Sequence, residues 1–129
     1  MTVFISGALL NPLNQRGWAW YKQRAWAKTW RRKTRLLLGD AVNRLRASER
    51  AALLNGDQRK RLEFHARVWS LFDQDNLVAA LKPVLDGVVD AGLLASDDVI
   101  ALPAAAVTYE QEVDRAHRGV EVVVEVLSD

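Results

Sequence analysis

The spacing of apolar residues changes at Asp73, and this change constrains how the middle of the chain folds. Between Leu62 and Phe72, apolar and polar residues alternate, which is typical of a strand with one buried face. After Asp73, apolar residues return at helical spacing, at Leu77, Leu81, Val84, Leu85, Val88 and Val89. The segment therefore predicts a strand that passes directly into a helix.

Weaker patterns predict the remaining elements of a single domain of 129 residues. They are a short strand at Val3–Ser6, a helix over about 23–46, a short helix over 48–54, an extended segment over 99–110, a polar turn over 112–118 and a final strand whose Val120, Val122, Val124 and Val126 share one face. In the long helix, the predicted apolar face holds Trp26, Trp30, Leu37, Ala41 and Leu45. The order β-α-(α)-β-α-β-β predicts an α+β fold, a two-layer sandwich of a small mixed sheet and helices, with the last two strands as a hairpin.

Two pairs of acids flank the predicted helix. If the strand continues through Asp73 and Asp75, its period of two places both carboxylates on one side. A helix of ~15 residues spans only ~22 Å and must return across the sheet, which brings Asp97-Asp98 towards the first pair. Carboxylates that meet at one point repel each other unless a divalent cation neutralises them. Alternatively, Asp75 caps the helix and Asp97-Asp98 are ordinary turn residues.

Composition restricts the kind of site that this chain can carry. It has no cysteine and two histidines, so a metal here is held mainly by oxygen, which favours magnesium, manganese or calcium. The lack of cysteine suits a reducing, cytoplasmic compartment. No run approaches the ~20 apolar residues of a membrane span, and no secretory signal is recognisable. We expect a cytoplasmic protein without a membrane partner.

Charge is separated between the two parts of the chain. Residues 1–72 hold 15 basic and 4 acidic residues, whereas residues 73–129 hold 3 basic and 12 acidic residues. Eight basic residues and no acid lie between Arg16 and Arg35. Such a block is typical of a phosphate-binding surface, although a solvated helix face explains it as well.

The tryptophans and two late arginines leave alternatives open. Tryptophan among basic residues can stack on unpaired bases, but Trp26 and Trp30, four apart, suit core packing better. Trp18, Trp20 and Trp69 are open to either interpretation. Similarly, Arg115 and Arg118 can contact a DNA backbone or simply occupy a polar hairpin tip.

The residues between Asp73 and Ile100 resemble the RusA family of Holliday junction resolvases. The resemblance consists of Asp-x-Asp-Asn-Leu at 73–77, Lys82, Leu-Asp-Gly at 85–87, Ala-Gly-Leu at 91–93 and Asp97-Asp98. It covers roughly a quarter of the chain, and these linked motifs are more specific together than any one of them is alone.

The resemblance implies a small homodimeric endonuclease that cuts four-way DNA junctions in recombination and repair, with Mg²⁺ as cofactor and Mn²⁺ as a possible substitute. Such enzymes are often carried by phages and act in the cytoplasm of the bacterial or phage-infected cell. Asp73 and Asp75 match the first two catalytic and metal-binding acids, and Asp98, or else Asp97, matches the third. Lys82 matches the active-site lysine. A competing alignment places Ala79 there.

The chain departs from the family in the residues that precede the first acid. Resolvases of this type carry arginines there, whereas this chain has Ser70, Leu71 and Phe72. We therefore expect branched DNA to contact basic residues elsewhere, at Arg16, Lys22, Arg24, Lys28, Arg31, Arg32, Lys33, Arg59, Lys60 and Arg61. One alternative is a catalytically weakened module that binds branched DNA without cleaving it. Another is a structural protein whose acidic half pairs with the basic half of a second subunit.

Overall fold

Four strands form a mixed β-sheet at the centre of the protein. The computed structural model describes residues 1–10, 20–56, 58–94 and 107–127. The strands are β1 (Thr2–Ser6), β2 (Lys60–Val68), β3 (Val107–Val113) and β4 (Gly119–Val126), and they lie in the order β1-β4-β2-β3. β3 is parallel to β2, whereas β4 is antiparallel to both β1 and β2.

Helices pack on one face of this sheet. Within the described residues they are α1 (Trp20–Asn43), α2 (Ala47–Leu54) and α3 (Gln74–Asp90). α1 packs against α3 and β1, and α2 contacts β4. The predicted α+β class and the order β-α-α-β-α-β-β are confirmed. None of the helices in these ranges is both long and apolar enough to cross a bilayer.

The core lies between the helices and the inward-facing residues of β2 and β4. Leu62, Phe64, Ala66 and Val68 of β2 are at most 1% exposed, and the intervening residues are only partly buried, so the predicted alternation is confirmed. The same holds for β4, where Val120, Val122 and Val124 are fully buried. Burial of each large apolar side chain stabilises the fold by about 1.5–3 kcal/mol.

The buried stripe of α1 differs from the predicted one. Instead of Leu37 and Ala41, the helix buries Trp30, Thr34, Leu38 and Val42, a strict repeat of four residues. Thr34 is tolerated in the core because its hydroxyl donates to the Trp30 carbonyl oxygen at 2.7 Å. It faces Gly87 of α3, where an added Cβ would lie 2.5 Å from the Thr34 Cβ, so the absence of a side chain permits the close helix contact.

The prediction of a final hairpin is wrong, because β2 lies between β3 and β4. Both edges of β4 are hydrogen-bonded, to β1 and to β2, so β4 is a central strand, while β3 lies at the edge. Residues 114–118 thus pass over the end of β2, a lateral distance of ~10 Å between next-nearest strands. The predicted ends also shift: α1 spans 20–43, not 23–46, and β3 continues through Val113. Residues 99–106 of the predicted extended segment lie outside the described residues.

Candidate active site

Three strands end at the same edge of the sheet, and the first acidic pair lies there. Since β1 and β2 are both antiparallel to β4, and β3 is parallel to β2, the last residues Ser6, Val68 and Val113 lie on one side. We call these three strand ends, with residues 69–75 and 114–118 that follow β2 and β3, the carboxyl edge. Proteins with helices on parallel strands commonly place ligand sites at such an edge.

Asp73 and Asp75 lie at the start of α3, not on the preceding strand. The predicted strand continues to Phe72, and the alignment of the two acids requires that it continue through both of them. However, β2 ends at Val68, whose carbonyl oxygen accepts the Asp114 N–H at 3.1 Å. Asp73 is the residue before the helix, with extended backbone angles, and Asp75 lies in the first helical turn. The expected alignment of both carboxylates by strand geometry is therefore wrong, since the helix begins earlier than the alternation suggests.

The side chain of Asp73 does not cap α3. Its carboxylate makes no capping hydrogen bond, although its carbonyl oxygen accepts the Leu77 N–H at 2.9 Å and so starts the helix. Asp73 and Asp75 are both exposed. A negative charge in this position is stabilised by about 0.3–1 kcal/mol through the helix dipole. Both carboxylates thus remain accessible to a cation or to solvent.

Gln111 fixes the segment that carries Asp73, and sequence analysis does not identify it. Its side-chain amide donates to the Phe72 carbonyl oxygen at 2.7 Å, and its amide oxygen accepts the Phe72 N–H at 2.9 Å. The side chain of a β3 residue therefore satisfies both backbone groups of a residue that has left the sheet. Because the two residues are 39 positions apart, no local pattern signals this contact.

Lys82 is exposed and shares a helix face with Asp75. The two residues are seven apart, which is about two turns and ~10 Å along the axis. The Lys82 Nζ lies 3.3 Å from the Asp86 Oδ1. Burial raises the pKa of the Tyr109 hydroxyl, and the positive charge of Lys82 opposes this shift. Lys82 is the only basic residue of α3, and the competing position, Ala79, is also exposed.

The second acidic pair, Asp97-Asp98, lies outside the described residues. Among residues 1–10, 20–56, 58–94 and 107–127, no three histidine or acidic side chains come together in a way that could hold a metal ion. Asp73 and Asp75 therefore need a further ligand from elsewhere to complete a site. That Asp98 or Asp97 supplies it stays a prediction.

The basic residues predicted to bind DNA lie in different surroundings along α1. Lys22, Arg24, Lys28 and Arg32 are exposed. Arg31 forms a two-pronged ion pair with Asp90, at 2.5 and 2.8 Å, and this hydrogen bonding lowers the pKa of Asp90. Lys33 donates to the Ser6 carbonyl oxygen, which places it at the carboxyl edge. An open concavity of about 710 Å³ is lined by Lys28, Thr29, Arg31, Arg32, Arg35 and Asp90. Arg16 lies outside the described residues.

The second basic run, at residues 59–61, lies at the opposite edge of the sheet. Lys60 is only 6% exposed, its Nζ donates to the Asn55 carbonyl oxygen at 2.8 Å, and burial lowers its pKa. Arg61 pairs with Glu125 at 2.5 Å, whereas Arg59 is exposed. Since the nine residues of β2 span ~26 Å, this run is remote from Asp73. Lys60 is not available to DNA in this structure.

The tryptophans divide between core and surface. Trp30 is buried, and its indole N–H donates to the Ala8 carbonyl oxygen at 3.3 Å, while Trp26 packs against the core. The core interpretation of this pair is therefore confirmed. Trp20 is exposed beneath the Arg24 guanidinium, and Trp69 is exposed at the carboxyl edge. Trp18 lies outside the described residues.

Comparisons of the chain with protein-family models, with curated proteins and with solved structures give no match. The basis for a function is therefore the geometry above together with the resemblance between residues 73 and 100.

Proposed function

We propose that this protein is a Mg²⁺-dependent endonuclease of the RusA type that resolves four-way DNA junctions by paired nicks. The main supporting observation is the position of Asp73 and Asp75, exposed at the first turn of α3 on the carboxyl edge. Lys82 on the same helix face and the acids that follow α3 in sequence add to it.

The donor set suits a hard cation. The chain lacks cysteine, and the candidate ligands are carboxylate oxygens, which Mg²⁺ and Mn²⁺ prefer. Asp73 and Asp75, with Asp98 or Asp97, would hold the metal. When bound, the metal supplies an activated water and neutralises charge on the scissile phosphate.

The protein side chains then have separate roles. Asp73 and Asp75 would hold the metal at the start of α3, where Gln111 restrains the backbone of the preceding residue, Phe72. Lys82 lies on the helix face of Asp75, where its ammonium group can offset negative charge that develops on the phosphate oxygens. Asp86, 3.3 Å away, holds that ammonium group in the resting protein. Exposed arginines and lysines of α1 attract the DNA backbone.

Cleavage of a synthetic four-way junction tests this proposal. We expect nicks that require Mg²⁺ or Mn²⁺. Loss of an outer-shell partner of a metal site typically costs 10–100-fold, so we expect Asp75→Asn, which alters a direct ligand, to lower the rate by at least about 100-fold. Asp40→Asn is the matched control, because Asp40 is an exposed acid whose only described partner is Arg44. Metal-independent cutting, or full activity of Asp75→Asn, would contradict the proposal.

A second candidate is a module that grips branched DNA without cleaving it. The observations that favour it are the ion pair between Lys82 and Asp86 and the absence of arginines at residues 70–72. Salt-sensitive binding of the junction without nicks in either Mg²⁺ or Mn²⁺ would select this function.

A further inference from the structure

We infer that Arg115 and Arg118, held on the ring of Trp69, form a binding site for DNA phosphates beside the first acidic pair. We call these three residues the Trp69 platform. The inference rests on the proposed function, since it assigns a specific DNA contact to the same edge of the sheet. It also supplies a basic surface next to Asp73 in a chain that has none at residues 70–72.

Four contacts join the turn after β3 to Val68, the last residue of β2, and to Trp69, which follows it. The Asp114 N–H donates to the Val68 carbonyl oxygen at 3.1 Å, and the Arg115 Nε–H donates to the Trp69 carbonyl oxygen at 3.1 Å. The Arg115 guanidinium carbon lies 4.7 Å from the centre of the Trp69 ring, and that of Arg118 lies 5.5 Å from it. Both guanidinium groups are therefore preorganised by the aromatic ring.

These two arginines differ from four others, which are paired with acids. Arg31, Arg44, Arg61 and Arg67 each form an ion pair with a carboxylate. Within the described ranges, no acidic side chain pairs with Arg115 or Arg118, and both residues are exposed. A guanidinium over an aromatic ring keeps N–H groups that can bind a phosphate. In Arg115 these are the Nη groups, because Nε donates to the Trp69 carbonyl oxygen.

Another arginine–aromatic contact in the protein shows what a purely structural contact looks like. Arg67 lies 4.9 Å from the centre of the Phe4 ring on the face of the sheet opposite the core. There, Glu112 and Glu121 lie 3.6 and 3.8 Å from the guanidinium, so its charge is neutralised within the protein. The Trp69 platform lacks this neutralisation, and Trp69 is 55% exposed. Its positive charge is directed at solvent or at an anion.

The platform lies within reach of the same DNA segment as the acids. Trp69 is four residues before Asp73, so their Cα atoms are at most ~14 Å apart. This is less than half of the ~34 Å turn of B-DNA. A duplex arm whose backbone reaches Asp73 can therefore also contact the two guanidinium groups. The contact is to the phosphodiester backbone, so it positions DNA without reading its sequence.

Binding of a labelled four-way junction in EDTA, measured over a series of salt concentrations, tests this site without cleavage. We expect Arg115→Ala/Arg118→Ala to weaken binding at least tenfold at low salt. Each lost phosphate contact lowers the slope of log K against log salt by about 0.9, so the slope should fall by roughly 1–2. Trp69→Leu keeps both charges but removes the ring, and we expect a smaller loss with an intermediate slope.

The charge-matched control is Arg44→Ala/Arg46→Ala. Both residues are exposed, and the neighbouring Leu45 lies with Met1 and Val126 at the edge of the sheet remote from Asp73. We expect wild-type affinity, and thermal melting should show that all variants fold. Equal losses in the control and the platform variant would overturn the inference, and so would unchanged binding by the platform variant.

These binding measurements, combined with the cleavage assay in Mg²⁺, separate this inference from the proposed function. Salt-dependent binding that requires the Trp69 platform, in a protein that never nicks DNA, would support the phosphate site and refute the proposed nuclease function. A wild-type protein without measurable affinity for branched DNA would refute both.

Discussion

At the scale of single residues, Gln111 holds the segment that leads to the candidate metal ligand Asp73. The Asp-x-Asp pattern directs attention to Asp73 and Asp75, and the structure places both at the start of α3 on the carboxyl edge. Gln111 escapes notice because it acts on backbone groups of Phe72, and any residue type except proline would present the same groups at position 72. A contact of this kind has no signature in residue identity.

Replacement of Gln111 should impair metal use more than DNA binding. In Gln111→Leu, the Phe72 N–H and carbonyl lose both partners, which costs about 1–3 kcal/mol of stability per unsatisfied group and loosens the segment before Asp73. We expect the Mg²⁺ concentration for half-maximal cleavage to rise about tenfold. Loss of a residue that supports a metal ligand typically lowers metal affinity or activity by about 10–100-fold. DNA affinity in EDTA should stay unchanged.

The matched control for this prediction is Gln58→Leu. The Gln58 side chain also donates to a backbone carbonyl, that of Leu127 at 2.8 Å, but this contact is at the edge of the sheet remote from Asp73. The Gln58→Leu variant should lose stability without a change in the Mg²⁺ dependence of cleavage. If Gln111→Leu loses stability and shows the same Mg²⁺ dependence as wild type, Gln111 is structural only.

At the scale of elements, the periodicity of apolar residues predicts well which segments form strands or helices. It predicts poorly which strands pair with each other. The alternating valines of β4 correctly predict a strand with one buried face, and the stripe in α3 correctly predicts a helix. The expected hairpin of β3 and β4 is wrong, because alternation shows which face is buried but not which edges are hydrogen-bonded. The five-residue connection is long enough to pass over β2, so sequence proximity does not decide the pairing.

The contact between α1 and α3 gives a paired prediction about two glycines. A Cβ at Gly87 would lie 2.5 Å from the Thr34 Cβ and 2.7 Å from the Arg31 carbonyl oxygen, so Gly87→Ala should destabilise the fold by about 1–3 kcal/mol through overpacking. Gly39 lies inside α1 with no heavy atom within 4 Å of such a Cβ, so Gly39→Ala should stabilise it by up to about 1 kcal/mol.

Urea unfolding of both variants measures these changes. Equal stability of the two, or a more stable Gly87→Ala protein, would show that the helices do not meet as closely as described.

At the scale of the whole molecule, the fold distributes charge in a way that the sequence halves only partly indicate. The acidic second half contributes Arg115 and Arg118 to the carboxyl edge, and the basic first half contributes the buried Lys60 at the other edge. The net charge of each half of the chain is therefore a poor guide to which basic residues are available to DNA. Whether the second acidic pair joins the first depends on residues beyond the described ranges, and this part of the candidate site stays a prediction.

Resolution of a junction predicts a two-fold assembly. Each subunit would cut one strand, so a supercoiled plasmid with an extruded cruciform should yield mainly linear DNA, and a plasmid without the inverted repeat should remain uncut. Sedimentation should give a mass near twice the 14.5 kDa of one chain. Accumulation of nicked circles, or a monomer at the concentrations used for cleavage, would contradict paired cutting.

The link between Phe72 and Gln111 has a consequence for the protein while it is being made on the ribosome. The loop that bears Asp73 emerges first, but the side chain that secures it is translated 39 residues later. A nascent or prematurely terminated polypeptide that stops before position 111 cannot hold the loop in its final form. For the proposed nuclease, hydrolytic competence would then arise late in biosynthesis, only after the edge strand has docked.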